Sequence, residues 1–201
     1  YFGDFVRWNY VKRYLPDTKN QLVLMDVGCG QGEYKDLIES KGYFWVGYDM
    51  HINPLNAEIK FADLTDLNNI KNEYFDAIIC IDVIEHIKDD NKAMSELNRV
   101  LKSNGLVILH TPNNEQKHIV INPEEQKDHV RKGYNKSELY ELFVKNNFII
   151  KEIVPTFNQV EASLWDLNYC FSKKIPIDLK DIVKNMRNHL HYGWLIMGRK
   201  K

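Results

Sequence analysis

The chain has 201 residues, of which 44% are hydrophobic and 27% charged, and its formal net charge is −1. That is an ordinary globular composition, long enough for a single domain over residues 1–201 with a substantial core. The balance gives no overall field toward nucleic acid or a membrane surface, so nucleic-acid binding would need a local basic patch and is disfavoured as a partner. Cys29, Cys80 and Cys170 sit in apolar or turn contexts with no paired spacing, which excludes a disulfide framework and a zinc site and suits a reducing cytoplasm. No apolar run approaches the ~20 residues that span a bilayer, and no secretory signal pattern is evident.

Residues 1–21 read as an N-terminal helical segment. Phe5, Trp8 and Val11 fall at helical spacing with Arg7, Lys12 and Arg13 between the aromatics, and Pro16 stops the pattern. The helix is expected to pack on the domain or fold over its cleft. An apolar run, Leu22 to Val27, then ends in Gly28, Gly30 and Gly32, the pattern of a buried parallel strand turning tightly into a helix. That helix is expected over Glu33 to Lys41, closed by Gly42. Further apolar runs, Tyr43 to Tyr48, Glu58 to Phe61 and Phe75 to Ile81, end in Asp49, in Ala62-Asp63-Leu64 and in Asp82. A helix is expected over Ile87 to Leu101, closed by Asn104-Gly105, and a fifth strand over Leu106 to Leu109. Asn114 to His129 reads as a polar loop across the top of the sheet. A helix from Ser137, with Tyr140 and Glu141 in its capped first turn, runs to near Asn147. Phe148 to Val154 is a sixth strand closed by Pro155, and His191 to Met197 a last one. Strands alternating with helices indicate a parallel sheet covered on both faces.

Ligands of such sheets bind at the carboxyl ends of the strands, beside the point where strand order reverses. The glycine turn, Asp49, Asp63 and Asp82 all fall at such ends. Asp49 follows Gly30 by 19 residues, close to the spacing at which an acid accepts from ribose hydroxyls. The turn reads Gly-x-Gly-x-Gly with Asp26 two residues before the first glycine, where a dinucleotide turn wants Gly-x-Gly-x-x-Gly and no acid near its pyrophosphate. S-adenosylmethionine carries an ammonium and a sulfonium with no phosphate, and an acid in the turn suits it.

Asp26-Val-Gly-Cys-Gly-Gln-Gly, Val46-Gly-Tyr-Asp49, Ala62-Asp-Leu64 and the run from Phe75 to His86 together resemble the motif series of class I S-adenosylmethionine-dependent methyltransferases. Within that class the chain is most similar to the type-11 group, which includes the ubiquinone-biosynthesis O-methyltransferases. The resemblance covers about Leu22 to Val154. It implies an α/β, Rossmann-like doubly wound sheet of seven strands with the last antiparallel. It implies that Gly28, Cys29 and Gly30 meet the methionine moiety, Asp49 with Met50 the ribose, Asp63 and Leu64 the adenine, and Ile81 and Asp82 the methionine end. Residues 156–189 interrupt the short hairpin of simpler members. This insertion is expected either to shape acceptor specificity or to serve as a packing or dimerisation element.

Asp82-Val-Ile-Glu85-His86 and the later His129 are the most chemical positions outside the turn, and Glu85, His86 and His129 are the candidate catalytic residues. Three readings stand open. Glu85 and His86 cap the helix expected at Ile87 and line the cofactor pocket, or His129 is a general base for a hydroxyl or amine, or, as in some relatives, a divalent cation sits on Asp82, Glu85, His86 and His129. The expected function is methyl transfer to a small-molecule acceptor, at oxygen rather than nitrogen. RNA methylation and a non-catalytic cofactor-binding homologue are the alternatives.

Overall fold

A computed structural model describes residues 2–51, 57–115, 130–157 and 193–201, with side chains from Val6 onward. The chain opens with helix α1 (Phe2–Tyr14) and continues through β1 (Val23–Val27), α2 (Lys35–Ser40), β2 (Phe44–Asp49), the short β3 (Lys60–Phe61) and β4 (Phe75–Ile81). Then come α3 (Asp90–Val100), β5 (Leu101–Pro112), α4 (Lys136–Lys145), β6 (Phe148–Thr156) and β7 (Gly193–Lys200). The seven strands form one sheet in the order β3-β2-β1-β4-β5-β7-β6. Strands β1 to β5 pair in parallel, and β7 runs antiparallel between β5 and β6. The expected α/β sheet with its last strand reversed is the observed one.

Period-two alternation buries both faces of the central strands, which is why they read as continuous apolar runs. Ile78 and Cys80 of β4 and Val107 and Leu109 of β5 pack on one face against Met94 and Leu97 of α3 and Leu139 and Phe143 of α4. Ala77, Ile79 and Ile108 pack on the other face, against Leu37 and Ile38 of α2, Val11 of α1 and Leu15 just after it. Helix α1, in which Val6 is buried as well, therefore belongs to the core. The chain runs outward from β1 to β3 and returns to β4 on the other side of β1, so the strand order reverses between β1 and β4.

Several boundaries differ from the sequence expectation, each for a local reason. Helix α2 starts at Lys35, two residues after the expected Glu33, because Gly32, with φ of 88°, still belongs to the turn. Strand β3 is confined to Lys60–Phe61 rather than starting at Glu58. The helix expected at Ile87 starts at Asp90, where the Asp89 side chain accepts from Lys92 N–H at 3.0 Å as its N-cap. Ile84–His86 instead form one 3₁₀ turn that leaves Ile87 extended, so Glu85 and His86 do not cap α3.

That helix ends at Val100, and Leu101 already pairs with Phe75. Asn104-Gly105 thus lies inside β5, at a break in its register, with Asn104 at φ 62°. The cap of α4 is Asn135 rather than Ser137: its side chain accepts from Glu138 N–H at 2.9 Å while Glu138 accepts from Asn135 N–H at 2.8 Å. Strand β6 continues through Pro155 to Thr156, which an edge strand tolerates because one side of it needs no donor. The expected polar loop from residue 116 on, and the 156–189 insertion from residue 158 on, lie outside the described residues, as does His129.

Candidate active site

The reversal of strand order opens a cleft of about 440 Å³ at the carboxyl ends of β1, β2 and β4, lined by Val27, Gly28, Tyr48, Asp49, Met50, His51, Ala62, Leu64, Asp82, Val83, His86 and Ile87. Gly28, Asp49, Met50, Leu64, Asp82 and His86, all singled out in the sequence, therefore share one wall. Gly28 is left-handed, with φ of 64°, and a Cβ there would stand 2.2 Å from Val83 Cγ2. Only glycine lets β1 turn this closely beneath Val83. The Gly28 N–H donates to Tyr48 O at 2.8 Å, pinning the turn to β2.

Asp49 organises the far side of the turn. Its Oδ2 accepts from Gly30 N–H at 2.9 Å and its Oδ1 from His51 N–H at 2.7 Å. A carboxylate has about four acceptor positions, so each oxygen keeps capacity for a ligand hydroxyl. Asp26 lies behind the turn rather than in the cleft wall. It is buried, its Oδ2 accepts from Trp45 Nε1 at 2.9 Å, and burial, reinforced by the nearby Glu33 and Asp49 charges, pushes its carboxyl up to about 7. Asp63 folds onto its own turn, its Oδ1 accepting from the N–H and Oγ1 of Thr65, both at 2.8 Å. At that level the cleft wall is Ala62 and Leu64. Cys29, Gly30 and Ile81 stand beside the wall without forming it.

Asp82 ends β4 in a left-handed turn, φ 54°. Burial would raise its carboxyl, but Arg7 and His110 outweigh burial and hold it well below the usual carboxylate range. Arg7 Nε lies 2.5 Å from Oδ2 and His110 Nδ1 2.5 Å from Oδ1. Arg7 and His110 complete the site without a local signal in the sequence. His110 was findable only by applying to β5 the strand-end rule that picks out Asp82.

Glu85 is buried. Its Oε2 accepts from Thr111 Oγ1 at 3.2 Å, while its Oε1 has no partner among the described residues. Burial and the Asp82 charge push its carboxyl up to about 8. His86 is exposed on the cleft wall. Among the described residues no three His, Cys, Asp or Glu side chains converge into a metal-holding group.

A family model described as a methyltransferase domain matches residues 8–153. The chain belongs to that family and is an S-adenosylmethionine-dependent methyltransferase. Over 170 residues it is 25% identical to the ubiquinone biosynthesis O-methyltransferase of Rickettsia typhi, covering 74% of this chain and 69% of that protein. Over 115 residues it is 34% identical to the tRNA (carboxymethyluridine(34)-5-O)-methyltransferase of Arabidopsis thaliana, covering 52% of this chain but only 28% of that protein. The fold matches the crystal structure of an S-adenosylmethionine dependent methyltransferase from Mesorhizobium loti, with TM-score 0.71, 14% identity and full coverage of both chains.

The cleft fits that cofactor. The close Gly28 approach provides a cradle that a Cβ would fill, and the Asp49 oxygens keep acceptor capacity for ribose hydroxyls. Met50, Ala62, Leu64 and Ile87 supply an apolar wall for a flat base.

Proposed function

We propose that the protein transfers the methyl group of S-adenosylmethionine to an oxygen of a small-molecule acceptor in the cytoplasm. The acceptor end of this reading is supported by the likeness to the ubiquinone biosynthesis O-methyltransferases, which extends over 74% of the chain, and by a net charge of −1. The compartment is read from three cysteines whose positions in the sequence show no paired spacing.

S-adenosylmethionine supplies an electrophilic methyl group on a sulfonium. Gly28, Cys29, Gly30, Ile81 and Asp82 hold its methionine end, Asp49 and Met50 the ribose, and Asp63 and Leu64 the adenine, with Asp26 shaping the turn from behind. Displacement on a methyl carbon needs the acceptor in line and water kept out, so orientation supplies much of the rate. Glu85, His86 and His129 are the residues proposed to meet the acceptor. The observation that carries this is Glu85 Oε1, a buried carboxyl oxygen left without a partner among the described residues, in the same 3₁₀ turn as His86 of the cleft lining. Such an atom is costly unless a ligand completes it. His129, beyond the described residues, is proposed as the general base.

A second reading, methylation of RNA, is favoured by the 34% identity to the plant tRNA methyltransferase. Release of S-adenosylhomocysteine, measured against hydroxylated small molecules and against bulk tRNA, separates the two. Turnover of a small hydroxyl compound that falls with His129→Ala is the expected result. Methylation of tRNA alone would replace the first reading with the second.

A further inference from the structure

Asp82 joins two structures that the cofactor cleft does not by itself require to be joined. On one side, Asp82 and Val83 are part of the cleft wall, and Val83 closes over Gly28. On the other, the Asp82 carboxylate is held at both oxygens from outside the cleft. Arg7 of α1 pairs with Oδ2 at 2.5 Å, and His110 of β5 meets Oδ1 at 2.5 Å.

His110 is fully buried and its second ring nitrogen lies 2.8 Å from Thr156 Oγ1 on β6. Gly193 makes room for that pair: a Cβ there would stand 2.8 Å from His110 Nε2 and 2.9 Å from Thr156 Oγ1. The Arg7 guanidinium also lies over the Phe157 ring, 5.5 Å from its centroid. Helix α1 and the end of β5 thus meet at the carboxylate that ends β4, and the end of β6 backs both of them through Thr156 and Phe157. Asp82 keeps a left-handed φ of 54°, a conformation that a non-glycine residue holds only when its surroundings over-determine it. Here they do.

We propose that Arg7 is a positioning residue for cofactor binding. Its ion pair with Asp82 seats the first turns of α1 on the strand ends and fixes the 82–83 turn, so that seating of the helix and filling of the cleft are coupled. The proposal rests on reading the cleft as the S-adenosylmethionine site. Val11 of the helix and Leu15 just beyond it, both fully buried, keep α1 on the core whether or not the Arg7 end is seated. Because coupling is reciprocal, a filled cleft must also hold the helix down.

The test titrates S-adenosylhomocysteine into the wild type, Arg7→Gln and Arg7→Lys by calorimetry, and follows hydrogen exchange across residues 7–14 with and without it. Loss of one charge-assisted contact should raise the dissociation constant of Arg7→Gln about tenfold, with Arg7→Lys recovering most of it. In the wild type the ligand should slow exchange across 7–14, and in Arg7→Gln it should not. A purely structural arginine would lower the melting temperature without that ligand-dependent protection.

Equal binding by the wild type and Arg7→Gln would overturn the coupling while leaving the cleft reading intact. A wild type that binds no S-adenosylhomocysteine would overturn the cleft reading and the coupling with it. Should Arg7→Gln fail to fold, the wild-type exchange measurement decides alone, and unchanged exchange across 7–14 overturns the proposal.

Discussion

Trp45 Nε1 donates a 2.9 Å hydrogen bond to Asp26 Oδ2, joining two buried residues on neighbouring strands just beneath the glycine turn. The same indole packs against Gly47, whose Cβ would stand 2.3 Å from Trp45 Cζ2, and touches Gly32. The bond gives the buried carboxyl a partner and braces the turn from behind. Trp45→Phe keeps most of the packing but orphans the Asp26 oxygen. It should destabilise the protein by about 1–3 kcal/mol, read from the urea midpoint with the slope unchanged.

Stability should fall toward alkaline pH, and two buried carboxyls explain why. Asp26 is raised from 3.8 to about 7 and Glu85 from 4.5 to about 8, in each case chiefly by burial. Between those values the native state holds protons that the unfolded chain has released, so unfolding becomes easier as pH rises. The contribution is complete below about pH 4 and is lost as pH climbs through 7 and 8. Asp82 acts in the opposite sense. Its carboxyl is depressed against burial by Arg7 and His110, so its contribution is present above about pH 4 and lost in stronger acid. Denaturant titrations from pH 6 to 9 should show Glu85→Gln declining less steeply than the wild type. Parallel slopes would remove Glu85 from this account.

Gly28→Ala forces a side chain into a left-handed residue, with its Cβ 2.2 Å from Val83 Cγ2. The strain should cost about 1–3 kcal/mol. Relief by moving Val83 would distort the cleft, so S-adenosylhomocysteine binding should be lost while circular dichroism stays native. Binding within about threefold of the wild type would show that the close approach is not what shapes the site.

The strand ends that border the cleft were legible because β1, β2 and β4 are each an apolar run with an acid or a glycine at the carboxyl end. Such a run is buried on both faces and stops where the cleft begins. Helix starts were less legible. Ile84 and Ile87 are as apolar as the helix that follows, so the 3₁₀ turn at Ile84–His86 leaves no mark in the periodicity, and the capping role of Asp89 appears only in its 3.0 Å contact with Lys92. Least legible was the junction at Asp82. Arg7 and His110 lie 75 and 28 positions away in the chain, and their convergence depends on the strand order and on α1 packing on one face of the sheet. No local pattern encodes that.

Asp49→Ala should weaken S-adenosylhomocysteine binding at least tenfold by calorimetry, because it removes both the proposed ribose acceptor and the anchor for two backbone donors. Gly30 N–H at 2.9 Å and His51 N–H at 2.7 Å both depend on this one side chain. Asp49→Asn keeps one amide oxygen as an acceptor and should fall between the wild type and alanine. An alanine variant with unchanged affinity would remove Asp49 from the site.

Arg99 should matter to the cleft from a distance. Its guanidinium donates to Ile70 O and Leu67 O, each at 2.8 Å, and pairs with Glu96 at 2.8 Å. Glu96 in turn accepts from Leu67 N–H at 2.9 Å. Together they tie α3 to the segment following β3, and the same segment begins with Ala62 and Leu64 on the cleft wall. Arg99→Ala leaves two carbonyls and a carboxylate without their donor and should destabilise the protein by about 2–3 kcal/mol. It should also weaken S-adenosylhomocysteine binding severalfold, because the base-side wall loses its tether. Arg99→Lys, a point charge that cannot span both carbonyls, should recover little of either loss. Destabilisation with no change in affinity would mean that Ala62 and Leu64 are held by the strand pairing of β3 alone.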